Sequence, residues 1–406
     1  MSDKYKLISL FSGAGGMDLG FKQAGFEIIY ANDFDEDAVI TYRNNIDENA
    51  VLGDICKISS DEIPNNPDVV IGGFPCTGFS IANTKRNMGD ERNFLYQQLL
   101  RVVNDKQPKV FVAENVKGLL SMEKGKVIEM IINDFKEIGY DVDYKILNAA
   151  DYGVPQARER VIIIGNRCGI KNIYPKPTHT DTSKAQQTLT QDNTLLPYIT
   201  AEEAIGYLSD VKISYDPIEL DGKMIYNHMA STNVSDKFWA RKHKVDQADI
   251  CDYLRGWRNK SEWTTPKLDK HFGYKHTAGH WFRKDNNSGT IPSPEDWWEL
   301  KKLLKFDDKY DKQVTELEER NIVYEQSLRI TNWDRPSDTI TATSPEIHVN
   351  KKRRLSAREC AILQTFPDDF IFSGSLSSMY MQIGNAVPVL LAKHIGNSII
   401  DMLNQI

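Results

Sequence analysis

Through roughly the first 165 residues, short β-branched runs alternate with helix-period apolar stripes. The segment KLISLF (6–11) predicts a strand and residues 17–24 a helix, and 27–31 with 35–45 repeat the pair. Residues 68–71 predict a further strand, followed after a polar loop by a helix near 94–104 and a strand at 110–113. Val127, Ile128, Ile131, Ile132 and Phe135 mark one face of another helix, and strands at 143–148 and 161–165 complete the series. A strand, a helix and a strand in succession make a parallel β-α-β unit, because a helix-length crossover is what lets the chain re-enter the sheet in the same direction. The expectation is an α/β, doubly wound, mostly parallel sheet that binds ligands at the carboxyl ends of its strands.

The alternation ends near residue 170, so residues 1–170 predict one domain. Residues 171–200, rich in Pro, Thr, Gln and Asp, predict a linker, and 201–330 a smaller domain with six of the seven Trp. From 331 to 406 the chain closes on a helix with Val387, Leu390, Leu391, Ile395, Ile399 and Leu403 on one face. The formal net charge of −7 argues against a nucleic-acid partner only if charge is evenly spread. It is not. Residues 237–284 hold twelve Lys or Arg against five Asp or Glu, interleaved with Phe238, Trp239, Tyr253, Trp257, Trp263, Phe272, Tyr274, Trp281 and Phe282. Cations suit phosphates and rings suit bases, while a Trp-rich small core with a solvated basic face accounts for the same composition.

Five scattered Cys, odd in number and without a CxxC pair, argue against a disulfide framework and a structural zinc site and point to a reducing cytoplasm. His271, His276 and His280 have no second Cys near Cys251 to complete a ligand set, so no metal is expected. No apolar run reaches the roughly 18 residues of a membrane span, and no secretion signal is visible.

Four short motifs fall at predicted strand ends. In LFSGAGGMDLG (10–20) a Gly-rich turn lets a ligand meet the N-terminus of the first helix. Gly13 and Gly15 give half a dinucleotide fingerprint, but Asp18 stands where the third Gly belongs, which disfavours NAD. Asp33 and Phe34 are placed to accept from ribose hydroxyls and to lie against an adenine, and the Gly53-Asp54-Ile55 stretch offers a further adenine contact. GGFPCTGFS (72–80) sets Cys76 between Pro75, which limits the backbone, and Gly78, which permits a sharp turn. Cys76 is either a small packing residue or a nucleophile at the mouth of a site, and a nucleophilic thiol needs positive or dipolar help to ionise. Glu114 of AENV projects into the same crevice, or serves as an ordinary cap or ion-pair partner. In QARER, alternation puts Gln156, Arg158 and Arg160 on one face, where two Arg side chains either hold a base or phosphate and favour the thiolate, or form a surface pair.

In this order and spacing, FSGAGG, GGFPCTGFS, AENV, QARER, RRLSARECAILQTFPDDF (353–370) and GNAVP resemble the C5-cytosine DNA methyltransferase family. They cover nearly everything outside 170–330. The resemblance implies a Rossmann-like catalytic domain that uses S-adenosylmethionine, yields S-adenosylhomocysteine, and acts on a cytosine flipped out of double-stranded DNA. It makes Cys76 the nucleophile toward C6, Glu114 the partner of the N3 and amino edge, and Arg158 and Arg160 the residues that hold O2 and order the site. Phe11, Gly13, Gly15, Asp33, Phe34, Asp54, Ile55, Pro75 and Asn385 match cofactor positions, with Asp33 where Glu is usual.

The loop SIANTKRNMGDERN (80–93) matches a mobile lid, with Ser80, Lys85, Arg86 and Arg92 as DNA contacts. Residues 201–330 match a target recognition domain, in which Arg241, Lys242, Arg255, Arg258 and Arg283 form the pool of DNA contacts. The expected enzyme is a cytoplasmic monomer without a membrane partner, paired functionally with a restriction endonuclease. A tRNA cytosine-C5 methyltransferase and a catalytically silent DNA-binding regulator are the competing readings.

Overall fold

The computed structural model describes residues 4–75, 95–181, 195–232, 247–274, 293–315, 329–343 and 345–406. The alternation read from sequence is realised as β1 (Lys6–Leu10), α1 (Gly16–Ala24), β2 (Glu27–Asp33), α2 (Glu36–Asn45), β3 (Val51–Leu52), β4 (Val69–Gly72), α3 (Leu95–Lys106), β5 (Val110–Val116), α4 (Lys126–Glu137), β6 (Asp141–Asn148) and β7 (Glu159–Asn166). The strands form one seven-stranded sheet in the order β3-β2-β1-β4-β5-β7-β6. β3 through β5 are parallel neighbours. β7 runs antiparallel to both β5 and β6. The central strands are buried along almost their whole length. Helices on both faces make that burial possible, and it explains why these strands read as continuous apolar runs. The fold is the expected α/β, mostly parallel, doubly wound sheet.

Chain order reverses beside β1: β2 and β3 lie on one side and β4 begins the other. Such a reversal splays the loops at the strand ends apart and leaves a crevice there. The C-terminal helix Val389–Leu403 lies along α1 and brings Leu391, Ile395 and Ile399 into the core cluster of Leu7, Phe21, Ile71 and Ile162. Gly20 sets the approach, since a Cβ there would stand 2.5 Å from the Val389 carbonyl oxygen. The stretch Leu376–Leu403 is apolar and long enough on composition to cross a membrane. It is instead two helices, Leu376–Asn385 and Val389–Leu403, separated at Ala386–Pro388, and most of it is buried.

Contacts divide the chain into two units. One comprises residues 1–230, 332–345 and 355–406, and the other 231–331 and 346–354. The boundary that composition put at residue 201 therefore falls at Ser231. The reason is apolar: Ala201, Ile205 and Met229 are buried in a cluster with Leu355, Phe366 and Tyr380 of the first unit.

In the second unit, helices Gln247–Asn259, Thr265–Phe272 and Pro294–Leu304 surround Leu254, Leu268, Trp297, Leu300 and Phe306. Tyr253, Trp257, Trp263 and Phe272 pack onto that core. All four of these aromatics stay partly exposed while they pack.

Candidate active site

The carboxyl ends of β1, β2, β4 and β5 open onto a cavity of about 570 Å³ in the first unit. Its first half is built on the turn between β1 and α1. Gly13 takes φ +52 and a Cβ there would meet nothing within 4 Å, so a ligand can rest directly on this backbone. The Gly13 amide donates to Asp33 Oδ2 at 2.8 Å, and the Asp35 amide donates to Oδ1 at 2.9 Å. Burial pushes the Asp33 carboxyl up, and those two backbone donors hold it back. Phe34 lines the cavity and is 73% exposed, so its ring face is open to a ligand. Ser12 Oγ is buried on the same wall without a hydrogen-bond partner among the described residues.

The second half holds charge of both signs. Glu114 Oε1 meets Arg160 Nε at 2.8 Å, with both side chains only about a tenth exposed at 11% and 10%. The sheet register creates this pair: Glu114 lies opposite Ile162, so Arg160, two residues along β7, is its diagonal neighbour on the same face. Gly73 leaves room for it, since a Cβ there would stand 3.3 Å from Glu114 Oε2. Asn115 Nδ2 donates to the Phe74 carbonyl at 3.0 Å and so fixes the segment that leads into Pro75. Burial lowers the Arg160 guanidinium pKa, with Glu114 opposing the shift.

Arg158 has different partners. It is 1% exposed and donates from its two terminal nitrogens to the carbonyls of Ile340, at 3.0 Å, and Gly384, at 2.8 Å. Gln156 Oε1 accepts from the Ile340 amide at 3.0 Å, so both peptide groups flanking that side chain are held. Burial, and then the charge of Arg160, pull the Arg158 pKa down to about 9, which still leaves it charged at neutral pH.

A wall made of a Gly turn, a strand-end carboxylate and a bare aromatic, facing a buried Glu–Arg pair beside a Phe-Pro segment, is open to direct comparison. The family model described as C-5 cytosine-specific DNA methylase matches residues 5–401. The chain belongs to that family.

The Type II methyltransferase M.NgoFVII of Neisseria gonorrhoeae is 34% identical over 97% of this chain and 87% of its own. The Type II methyltransferase M.FnuDI of Fusobacterium nucleatum is 33% identical over 98% of this chain and 95% of its own. The fold alone is shared with the Entamoeba histolytica methyltransferase EhMeth, at TM-score 0.53 and 14% identity over 99% of each chain. The protein is thus a DNA (cytosine-5) methyltransferase, and enzymes of this family draw the methyl group from S-adenosylmethionine.

Of the residues singled out in the sequence, this methyltransferase gathers Phe11, Gly13, Asp33, Phe34, Pro75, Glu114, Arg158, Arg160 and Asn385 around the one cavity. Gly15, Asp54 and Ile55 are not on its wall. Gly15, at φ +88, is needed for packing, because a Cβ would stand 2.1 Å from Ile46 Cδ1. Asp54 accepts the Cys56 amide within its own turn, and Ile55 is buried with Leu10 and Phe74. Cys76, Ser80, Lys85, Arg86, Arg92, Arg241, Lys242 and Arg283 lie outside the described residues. Arg255 and Arg258 lie on the helix Gln247–Asn259, where Arg255 is paired with Asp252 at 3.0 Å.

Six polar residues of the cavity wall carry no role in the sequence analysis: Ser9, Ser12, Asp18, Asp35, Asn115 and Gln382. Each sits inside or beside a motif already noticed. Nothing in a motif says which of its members faces the cleft.

Proposed function

We propose that this methyltransferase modifies one cytosine within a specific duplex DNA sequence through a transient bond between Cys76 and C6 of the base. The observation that carries the reading is the buried Glu114–Arg160 pair beside Gly73–Pro75, immediately before Cys76 in the chain. The target cytosine leaves the duplex at a cost of about a few kcal/mol and enters this half of the cavity. There Glu114 bonds the N3 and amino edge, and its ion pair with Arg160 fixes the carboxylate before the base arrives. The Cys76 thiolate adds to C6, which makes C5 nucleophilic. C5 takes the methyl carbon and then loses its proton, and the thiolate leaves C6 as the ring recovers its double bond. Arg158 is a positioning residue that holds Gly384, and with it Asn385, against the cleft.

The first half of the cavity fits S-adenosylmethionine. Asp33 suits ribose hydroxyls, Phe34 an adenine face, and Ser12 Oγ is a buried polar atom with no partner among the described residues. The cofactor supplies an electrophilic methyl carbon on a cationic sulfur. The Type II methyltransferases among its relatives support a role as the modification partner of a restriction endonuclease.

The test uses duplex DNA with 5-fluorocytosine in place of cytosine. Fluorine at C5 leaves no proton to lose after methylation, so the thioether to C6 persists and survives denaturing electrophoresis. Capture by the wild type and none by Cys76→Ala is expected, together with methylation of duplex DNA and not of tRNA. Unchanged methylation by Cys76→Ala would overturn the covalent route.

A further inference from the structure

The wall of the cavity contains a carboxylate that no cation balances among the described residues. Asp18 lies in the first turn of α1, 1% exposed, and its Oδ1 accepts from the Tyr42 hydroxyl at 2.8 Å. The Ser9 side chain and its own backbone amide complete its hydrogen bonds. The titratable groups that face it are Tyr42 on α2 and Asp33 on β2, one neutral and one acidic. Among the described residues no Lys, Arg or His pairs with it. The base half differs, because there Glu114 has Arg160. A charge buried without a partner is a standing cost to the fold, and a ligand that brings the opposite charge removes that cost.

We propose that Asp18 is a specificity-determining residue that makes the cavity prefer the cationic methyl donor over its uncharged-sulfur product. The inference rests on the reading of this cavity as the S-adenosylmethionine site. The donor and S-adenosylhomocysteine differ by one methyl group and one positive charge, so a contact to adenine or ribose cannot tell them apart. A carboxylate can. At an effective dielectric constant of ~20, a unit charge within about 10 Å is worth a preference on the order of tenfold. Transfer of the methyl group consumes that charge, so the same residue that favours the donor ceases to hold the product.

Isothermal titration of the full chain with each compound, between pH 5 and 8, tests the idea without turnover. Asp18→Asn keeps the acceptor for Tyr42. It should weaken donor binding about tenfold and change product binding less than about twofold. Retained product binding also shows that the variant is folded. Near pH 6 the wild-type carboxyl, pushed up to about 6 by burial, is partly protonated. Donor binding should then expel a proton, seen as heat that varies with the buffer, and product binding should not. Asp18→Asn should lose the difference. In Tyr42→Phe, which keeps the carboxyl and removes a bond to its charged form, the pH at which the preference fades should move upward.

Equal weakening of both compounds by Asp18→Asn, or an unchanged ratio, would overturn the inference while leaving the cofactor site intact. Failure of the wild type to bind either compound would overturn the site assignment and the inference with it.

Discussion

The buried pair between Glu114 and Arg160 makes a quantitative demand on the fold. At 2.8 Å and an effective dielectric constant of ~20, the Coulomb attraction is about 6 kcal/mol. Desolvation of two nearly buried ions cancels much of it. Removal of one partner leaves the other charge without compensation, which costs about 3–5 kcal/mol. Glu114→Gln should be the costlier single change, because it strands two guanidinium groups, Arg160 and the buried Arg158, whose charges already oppose each other. Arg160→Gln strands one carboxylate. The double variant strands neither end of the pair, so its cost should fall about 3 kcal/mol short of the sum of the singles. Equilibrium urea unfolding of the four proteins gives that coupling directly. Both singles should also lose methylation, since each unfixes the group that meets the base. Additive costs, with a coupling below about 0.5 kcal/mol, would show that solvent screens the two charges and would refute the claim that the fold presets the carboxylate.

Three further outcomes follow from the same geometry. Arg158→Lys supplies a single cationic head where a fork reaches the carbonyls of Ile340 and Gly384, so stability should fall by about 2–4 kcal/mol and KM for the cofactor should rise more than kcat falls. Gly15→Ala meets both a positive φ and the Ile46 and Tyr42 side chains; a loss of about 1–3 kcal/mol in unfolding, with the base half of the site unaffected, is expected. The Asp18 carboxyl, raised from 3.8 to about 6, contributes stability that is fully present below about pH 4 and lost as the pH rises through about 6. Relative to Asp18→Asn, the ligand-free wild type should therefore gain roughly 3 kcal/mol between about pH 7.5 and pH 4 in urea titrations, and a flat difference would refute the buried-charge account.

What could be read from sequence divides along physical lines. Strands and helices of the first unit were legible because periodicity and burial act within a few residues. The reversed direction of β7 was not, since Val161–Gly165 is equally apolar whichever way it runs. Arg158 and Arg160 look alike in QARER. They are told apart by partners far along the chain: Arg158 reaches carbonyls 182 and 226 residues away, whereas Arg160 reaches a neighbouring strand. Gly13 and Gly15 share one turn, yet the first faces open space and the second faces Ile46. The aromatic window gave composition but no direction, and the structure turns Tyr253, Trp257, Trp263 and Phe272 toward a core. In each case the missing information is a long-range contact.

The reversed strand also explains why the site can exist. β5 ends in Glu114, Asn115 and Val116, and in the antiparallel register these lie opposite Ile162, Val161 and Arg160 of β7. Side chains alternate faces, so Glu114 and Arg160 share a face, and Asn115 is left pointing the other way to hold the Phe74 carbonyl. A slip of one residue would send Arg160 to the opposite face and leave Glu114 buried and alone. A β7 running parallel to β5 would start at the amino end of the sheet and carry Arg160, its second residue, to the far edge from the cavity. Placing a cation within reach of a strand-end carboxylate therefore requires a neighbour that begins where β5 ends. The antiparallel β7, entered from QARER, supplies it.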